Sequence, residues 1–363
     1  MVTYADRVWT QRYDKGVPTT LNYPDLPLFT FLRDTAQRMP NHTALLTSTH
    51  LPVLGRVARR VSYAELDRWS DELAAGFVGM GLKKGQSVAL MMPNSVQFVV
   101  TFWAILKAGG IVAAANPTYP ADKLQYQLDD CDAELIVTLS LYYELIKSVQ
   151  PRTKIKQVIV TNIKEYLHPA AKFLFTLAKE RKDGHRVETL RDNDVWLQDI
   201  IKQNSGKKPE VTVTSDDLAL FQYTGGTTGV SKAAMASHAN LVANTLQQHA
   251  VLSVDNTPIG SEMFLGAIPF FHVFGMVAVL AFAVKIGATV VCVPNARDIN
   301  DVLENIDTYK PTMFHGVPAL YNAINQHPKV HAGQVNLKSI RICVSGSAPL
   351  PPSTKQEFER LSG

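Results

Sequence analysis

Two stretches of the chain alternate short apolar runs of strand length with segments of helical period. No other pattern narrows the fold as much: it demands a mostly parallel sheet with helices on its faces. In the first stretch, Ser62 stands three residues before Glu65 at capping-box spacing, and Leu66, Leu73 and Phe77 follow on a helical period. "SVALMMPN" is then strand-like, and "VQFVVTFWAILKAG" is helical behind a Ser95 cap. "IVAAANP", "ADKLQYQLDDC", "ELIVTL", "YYELIKSV" and "KQVIVT" continue as strand, helix, strand, helix and strand. The second stretch runs "EMFLGAIP", "GMVAVLAFAVKIG", "ATVVCVP", "INDVLENIDTYK", "PTMFHGV", "PALYNAINQH" and "SIRICVSGSAP", strand and helix by turns. Between them the 190–215 zone, with "QNSGKKPEVTVTSDD", is polar and loop-like. The expected fold class is therefore α/β, in two layered subdomains of roughly 1–205 and 206–363.

Composition excludes several classes. With 46% hydrophobic and 19% charged residues among 363, the chain is globular rather than disordered. A formal charge of +4 suits an anionic small molecule or lipid surface but lacks the basic density of a nucleic-acid binder. Cys131, Cys292 and Cys343 lie far apart, without metal-ligand spacing, and each reads as a buried thiol in a reducing compartment. The N-terminal "MVTYADRVWTQRYDKG" is charged throughout and is no signal peptide. The apolar stretches "FVVTFWAILKAGGIVAAA" and "MVAVLAFAVKIGATVVCV" are interrupted by Lys107, Lys285 and glycine, and read as helix–turn–strand units rather than spans. A cytoplasmic location is expected. In 161–188, Leu167, Ala171, Leu174 and Ala178 recur at helical spacing beside Lys172, Lys179, Arg181 and Lys182. That pattern suits a helix lying peripherally on the inner face of a membrane, or a surface helix with its apolar side on the core; the second reading is preferred.

The stretch "YTGGTTGVSKAAM" (223–235) carries the most chemistry. It is not a Walker A loop: the residue five after Gly225 is Val230, and Ala233 rather than Ser or Thr follows Lys232. An apolar run, 218–223, precedes it and "AAMASH" follows, so it reads as a hairpin with a Gly/Thr tip. Gly225, Gly226 and Gly229 leave backbone N–H groups free to face an anion. Thr224, Thr227 and Thr228 add hydroxyls, one of which could reach Mg²⁺, and Lys232 adds a point charge for a phosphate oxygen. A plain flexible hairpin tip would have the same composition.

Together with "VSYAEL", "VALMMPNSVQFVVTFWAILKAGGIVAAANPTYPADKLQYQL", "AIPFFHVFGM", "FHGVPALY" and "VSGSAPLP", this stretch resembles the adenylate-forming superfamily of acyl-CoA synthetases, luciferases and peptide-synthetase adenylation domains. Within it the chain looks most like bacterial long-chain fatty-acid–CoA ligases. The resemblance implies the family's large N-terminal domain, incomplete at its C-terminus. The family continues with ribose-binding, hinge and catalytic-lysine segments, so the chain reads as a fragment lacking the C-terminal catalytic-lysine domain. The implied reaction activates a fatty acid with ATP and Mg²⁺ to acyl-AMP, then transfers the acyl group to CoA. Two alternatives stand beside it: a CoA ligase for another carboxylic acid, and a non-catalytic nucleotide- or acyl-binding fragment. The oligomeric state is left open, a homodimer included.

By the same resemblance, Thr224, Gly225, Gly226, Thr227, Thr228, Gly229 and Lys232 hold the β- and γ-phosphates, with Thr228 on the metal. The turn Gly346, Ser347, Ala348, Pro349 flanks the adenine; without the family it is a strand-ending turn. His272 falls near the acyl carboxylate and α-phosphate, although its Phe270, Phe271 and Phe274 neighbours alone suggest a core histidine. Val273, Phe274, Gly275, Met276, Gly316, Val317 and Pro318 are candidates for the acyl tunnel, with plain core packing as the other reading. Ser231 and Ala233 depart from the family's Pro and Gly on either side of Lys232.

Overall fold

The computed structural model describes residues 3–51, 53–224, 231–252 and 258–363. Thirteen strands form among them. They are β1 (Thr43–Leu51), β2 (Gly55–Ser62), β3 (Ser87–Met91), β4 (Ile111–Ala114), β5 (Leu135–Leu139), β6 (Gln157–Thr161) and β7 (Val195–Trp196). Then come β8 (Leu218–Thr224), β9 (Lys232–Ser237), β10 (Met263–Gly266), β11 (Thr289–Cys292), β12 (Met313–Gly316) and β13 (Ile342–Ser345).

The strands make two sheets, ordered β13-β12-β10-β11-β1-β2 and β7-β6-β5-β3-β4-β8-β9. Every pairing is parallel except the edge hairpins β1–β2 and β8–β9. The α/β class with two mostly parallel sheets is therefore as expected. Each sheet takes strands from both sides of residue 205: β1 and β2 join the sheet of β10–β13, and β8 and β9 join that of β3–β7.

The Val96–Lys107 helix explains why the layers stay together. All twelve of its residues are buried, so it has no solvent face and belongs to the main core shared by both sheets. Its N-terminus is capped as the sequence suggests, with the Ser95 hydroxyl accepting from Phe98 N. The helix Tyr63–Gly79 begins on the Ser62/Glu65 capping box. Burial of this interior removes a large apolar area from water, which is the main term holding such a domain together.

Two expectations change. Cys131 and Cys292 are buried, but Cys343 is exposed, because β13 is the outer strand of its sheet and lines an open groove. The 161–188 segment is not one helix: a short 3₁₀ turn, Ile163–Tyr166, ends before the helix Pro169–Ala178. Pro169 has no N–H to continue the first turn, and the His168 ring accepts from Ala170 N to restart the helix. No helix among the described residues is long and apolar enough to cross a membrane.

Candidate active site

The Gly/Thr stretch sits on a hairpin, as its flanks imply. β8 and β9 pair antiparallel, with Tyr223 opposite Ala233 and Thr224 opposite Lys232. Gly225, Gly226, Thr227, Thr228 and Gly229 lie outside the described residues; Thr224 and Lys232 stand exposed at the two ends of that segment. The neck is closed by Ser231, whose hydroxyl donates to Thr224 O at 2.7 Å. A proline could not make that bond. The helix Ala121–Asp130 holds the neck from one side: Tyr126 donates to Ser231 O at 2.9 Å, and Tyr223 donates to the Asp130 carboxylate at 2.5 Å.

Gln222, one residue upstream of Tyr223, joins this hairpin to the His272 segment. Its Oε1 accepts from Val273 N at 2.6 Å, and its Nε2 donates to Tyr223 O at 3.0 Å. The other support is Asn94, just past β3. It donates to Gly266 O and Ile268 O at 2.9 and 2.8 Å and accepts from Phe270 N at 2.7 Å. The chain between β10 and His272 thus hangs from one buried amide.

The turn itself requires a glycine. A Cβ on Gly275 would lie 2.2 Å from Pro269 O, and the carbonyl of His272 accepts from Gly275 N and Met276 N at 2.8 and 3.0 Å. A π-helix, Phe274–Ala281, follows directly and passes into the α-helix Phe282–Ile286. Such wide turns occur often at functional sites. His272 lies at the surface, with Nδ1 accepting from Phe274 N at 3.2 Å. Partial desolvation holds its pKa below the usual histidine value. It is therefore neutral at pH 7, with Nε2 bearing the hydrogen.

The third segment reaches the same place through Phe274. Gly316 pairs with Ser345, and Gly346 N donates to Gly316 O at 3.1 Å. A Cβ on Gly346 would meet the Phe274 ring at 2.8 Å. Ser347, Ala348 and Pro349 are exposed in the turn, and Ser347 takes φ +68°, a left-handed conformation. Val317 and Pro318 open the helix Pro318–Asn325, whose Tyr321 donates to Phe314 O and Val344 O at 2.8 and 3.2 Å.

Beside Phe274 runs an apolar groove of about 680 Å³, lined by Val273, Phe274, Val277, Val344 and, from the helix His238–Leu252, Leu241 and Leu252. Val273 and Phe274 were among the tunnel candidates. Gly275, Gly316, Val317 and Pro318 do not line this groove, and Met276 is wholly buried in the core. Gln222, Asn94, Val344 and the His238–Leu252 helix were not assigned to the site from sequence. Gln222 left one trace there, a lone amide within an apolar strand.

Hairpin neck, histidine turn and glycine turn are thus tied to one another beside an apolar groove, an arrangement suited to holding a polyanion next to an acid with an apolar tail. Residues 32–363 match the family of AMP-binding enzymes, and the chain belongs to that family. It is 32% identical over 364 residues to a long-chain-fatty-acid–CoA ligase of Bacillus subtilis, covering 99% of this chain and 62% of that protein. It is 30% identical over 370 residues to one of Escherichia coli O6:H1, at 98% and 62% coverage. The crystal structure of a long-chain-fatty-acid–CoA ligase from Archaeoglobus fulgidus superposes with a TM-score of 0.77 and 25% identity, covering 96% of this chain and 63% of that one. ATP-bound MatB from Rhodopseudomonas palustris gives 0.70 and 25%, at 93% and 58% coverage. The chain spans about 62% of the curated relatives' length.

Proposed function

We propose that this chain is the nucleotide- and acid-binding part of an AMP-forming long-chain fatty-acid–CoA ligase. The observation that carries this reading is the Gln222–Val273 hydrogen bond, which fixes the base of the phosphate-loop hairpin to the His272 turn at the mouth of an apolar groove. The fatty acid lies in the groove, and ATP extends from the Gly346–Pro349 turn to the loop ends at Thr224 and Lys232.

In the first step a carboxylate oxygen attacks the α-phosphorus. The bond to the bridging β-oxygen breaks, and pyrophosphate leaves with that electron pair. The obstacle is repulsion between two anions. Lys232 and the loop's N–H and hydroxyl groups offset it on the pyrophosphate, each by a few kcal/mol when well placed, on the order of the value of one preorganised donor. Thr228 would add a hydroxyl ligand to a Mg²⁺ ion held on the phosphates of ATP, and such an ion would offset part of their charge. His272, neutral and bearing its hydrogen on Nε2, donates a hydrogen bond rather than removing a proton. In the second step the thiolate of CoA attacks the acyl carbonyl, and AMP leaves with the former carboxylate oxygen.

ATP–pyrophosphate exchange by the complete protein, with acids from octanoate to palmitate, tests the reading. Exchange should favour the longer acids. Lys232→Ala should lower it by about 10²-fold while leaving fatty-acid affinity within about twofold. Exchange with short or aromatic acids alone would refute the long-chain assignment. If a non-hydrolysable acyl-adenylate mimic fails to bind in calorimetry, the site assignment fails with it.

A further inference from the structure

Two histidines are wholly buried among the described residues, and they differ in what their rings meet. His238 Nδ1 accepts from Leu28 N at 3.1 Å. His315 has no partner for either ring nitrogen among the described residues. Its ring lies between those of Phe264 and Phe274, at 5.4 and 5.9 Å. Burial there pushes its pKa down to about 4, so it is neutral at pH 7. A neutral imidazole carries one N–H donor and one accepting nitrogen, and both stand unused in an apolar wall. Groups buried in that way cost stability until something pairs them.

The sheet shows which way the ring faces. Residues directly paired across neighbouring strands point their side chains to the same face, and successive residues alternate. His315 pairs with Val344, and Val344 lines the groove beside Phe274. Cys343 and Ser345, the neighbours of Val344 along β13, turn to the opposite face and line a different cavity. His315 therefore stands on the groove side, behind the half-buried Phe274 ring. The groove is not apolar throughout: Asn244, Gln247 and Gln248 lie along one side, and none of its lining residues is charged. A charged substituent would find no counter-ion there. A neutral hydroxyl, both donor and acceptor, matches the imidazole.

We propose that His315 sets which acid the groove prefers, by hydrogen-bonding a hydroxyl group on the acid's aliphatic chain. The Phe274 ring turns aside to admit that group, whereas a plain chain leaves the imidazole unpaired. The inference rests on the acid lying in this groove, as proposed above, and narrows its class to hydroxylated fatty acids.

Calorimetry of the chain with dodecanoate, and with its monohydroxylated forms carrying the group at each carbon in turn, tests it. At least one hydroxylated form should bind about tenfold more tightly than dodecanoate, the value of one well-placed hydrogen bond in an apolar site. In His315→Leu that ratio should fall to about one. Dodecanoate binding with no gain from a hydroxyl at any position overturns the inference and leaves the acid site standing. A preference that persists in His315→Leu overturns it as well, because another group then reads the hydroxyl. No binding of any of these acids overturns the groove's assignment and this inference together. The comparison on the unaltered chain stands even where the variant does not fold.

Discussion

Lys107 sits at the end of a wholly buried helix, and its position shows what a single charge costs in this core. Its ammonium lies 2.6 Å from Asp67 and 2.9 Å from Asp71, both on the neighbouring helix Tyr63–Gly79, and its side chain is fully buried. Removing one partner of a buried pair leaves the other uncompensated. Lys107→Ala should therefore cost about 3–5 kcal/mol in urea denaturation. Lys107→Met combined with Asp67→Asn and Asp71→Asn should recover much of that loss. A single-variant loss below about 1 kcal/mol would mean the pair is not desolvated. His315 makes the opposite demand. It lies between the rings of Phe264 and Phe274, at 5.4 and 5.9 Å, and neither ring nitrogen has a partner among the described residues. Burial pushes its pKa from 6.5 down to about 4. Above pH 6.5 it is neutral folded or unfolded and contributes nothing to pH dependence. As pH falls from 6.5 toward 4, the unfolded chain takes up a proton that the folded chain refuses, so stability is lost across that window. The loss is on the order of 3 kcal/mol by the lower end. His238, buried with a pKa also near 4, behaves the same way. His315→Leu should thus flatten, without abolishing, the fall of Tm with pH in that window; an unchanged slope would show that His315 titrates normally.

Among the elements, the turn before the π-helix is the most tightly specified. Gly275→Ala would place a methyl group 2.2 Å from Pro269 O, a contact with backbone that no rotamer relieves. Overpacking of this kind costs about 1–3 kcal/mol or more. Because the displaced turn carries His272 and Val273, fatty-acid binding should weaken more than the drop in Tm alone explains. Calorimetric titration well below the variant's Tm separates the two, and wild-type affinity would show that the turn does not shape the groove. The layered class, the capped helices and the β8–β9 hairpin were legible in the sequence because each is written locally, in period, caps and turn residues. The β1–β2 hairpin was not, since its strands mix polar and apolar residues and β1 pairs with β11 from far along the chain. Nor were the two amides that build the site. Gln222 finds its partner 51 residues away, and Asn94 finds its partners 172 to 176 residues away. Met276 was itself a tunnel candidate, next in sequence to Val273, Phe274 and Gly275, but only the packed helix shows that its side chain is buried in the core. Cys343 misled for a related reason: apolar neighbours do not reveal that a strand ends up at a sheet edge.

For the molecule as a whole, the two sheets are interleaved, so the hairpin on one and the His272 turn leading from the other cannot move independently. Gln222 spans that junction, and Phe274 continues it to the Gly346 turn. If ATP occupies the hairpin and the Gly346 turn while the acid occupies the groove, each ligand stiffens elements that the other needs. Their binding free energies should then be coupled, and by linkage the effect must be reciprocal. Couplings of this kind are typically about 1–3 kcal/mol, and a saturating long-chain acid should tighten binding of a non-hydrolysable ATP analogue at least about fivefold. Calorimetry with and without the acid measures this, and the reverse titration must return the same factor. Gln222→Leu leaves Val273 N without its acceptor, and should bring the factor toward one while each ligand still binds alone. A coupling that survives in that variant would mean the two sites communicate through the shared core rather than through the Gln222–Val273 bond. A factor of one in the unaltered chain would mean that hairpin and groove are occupied independently.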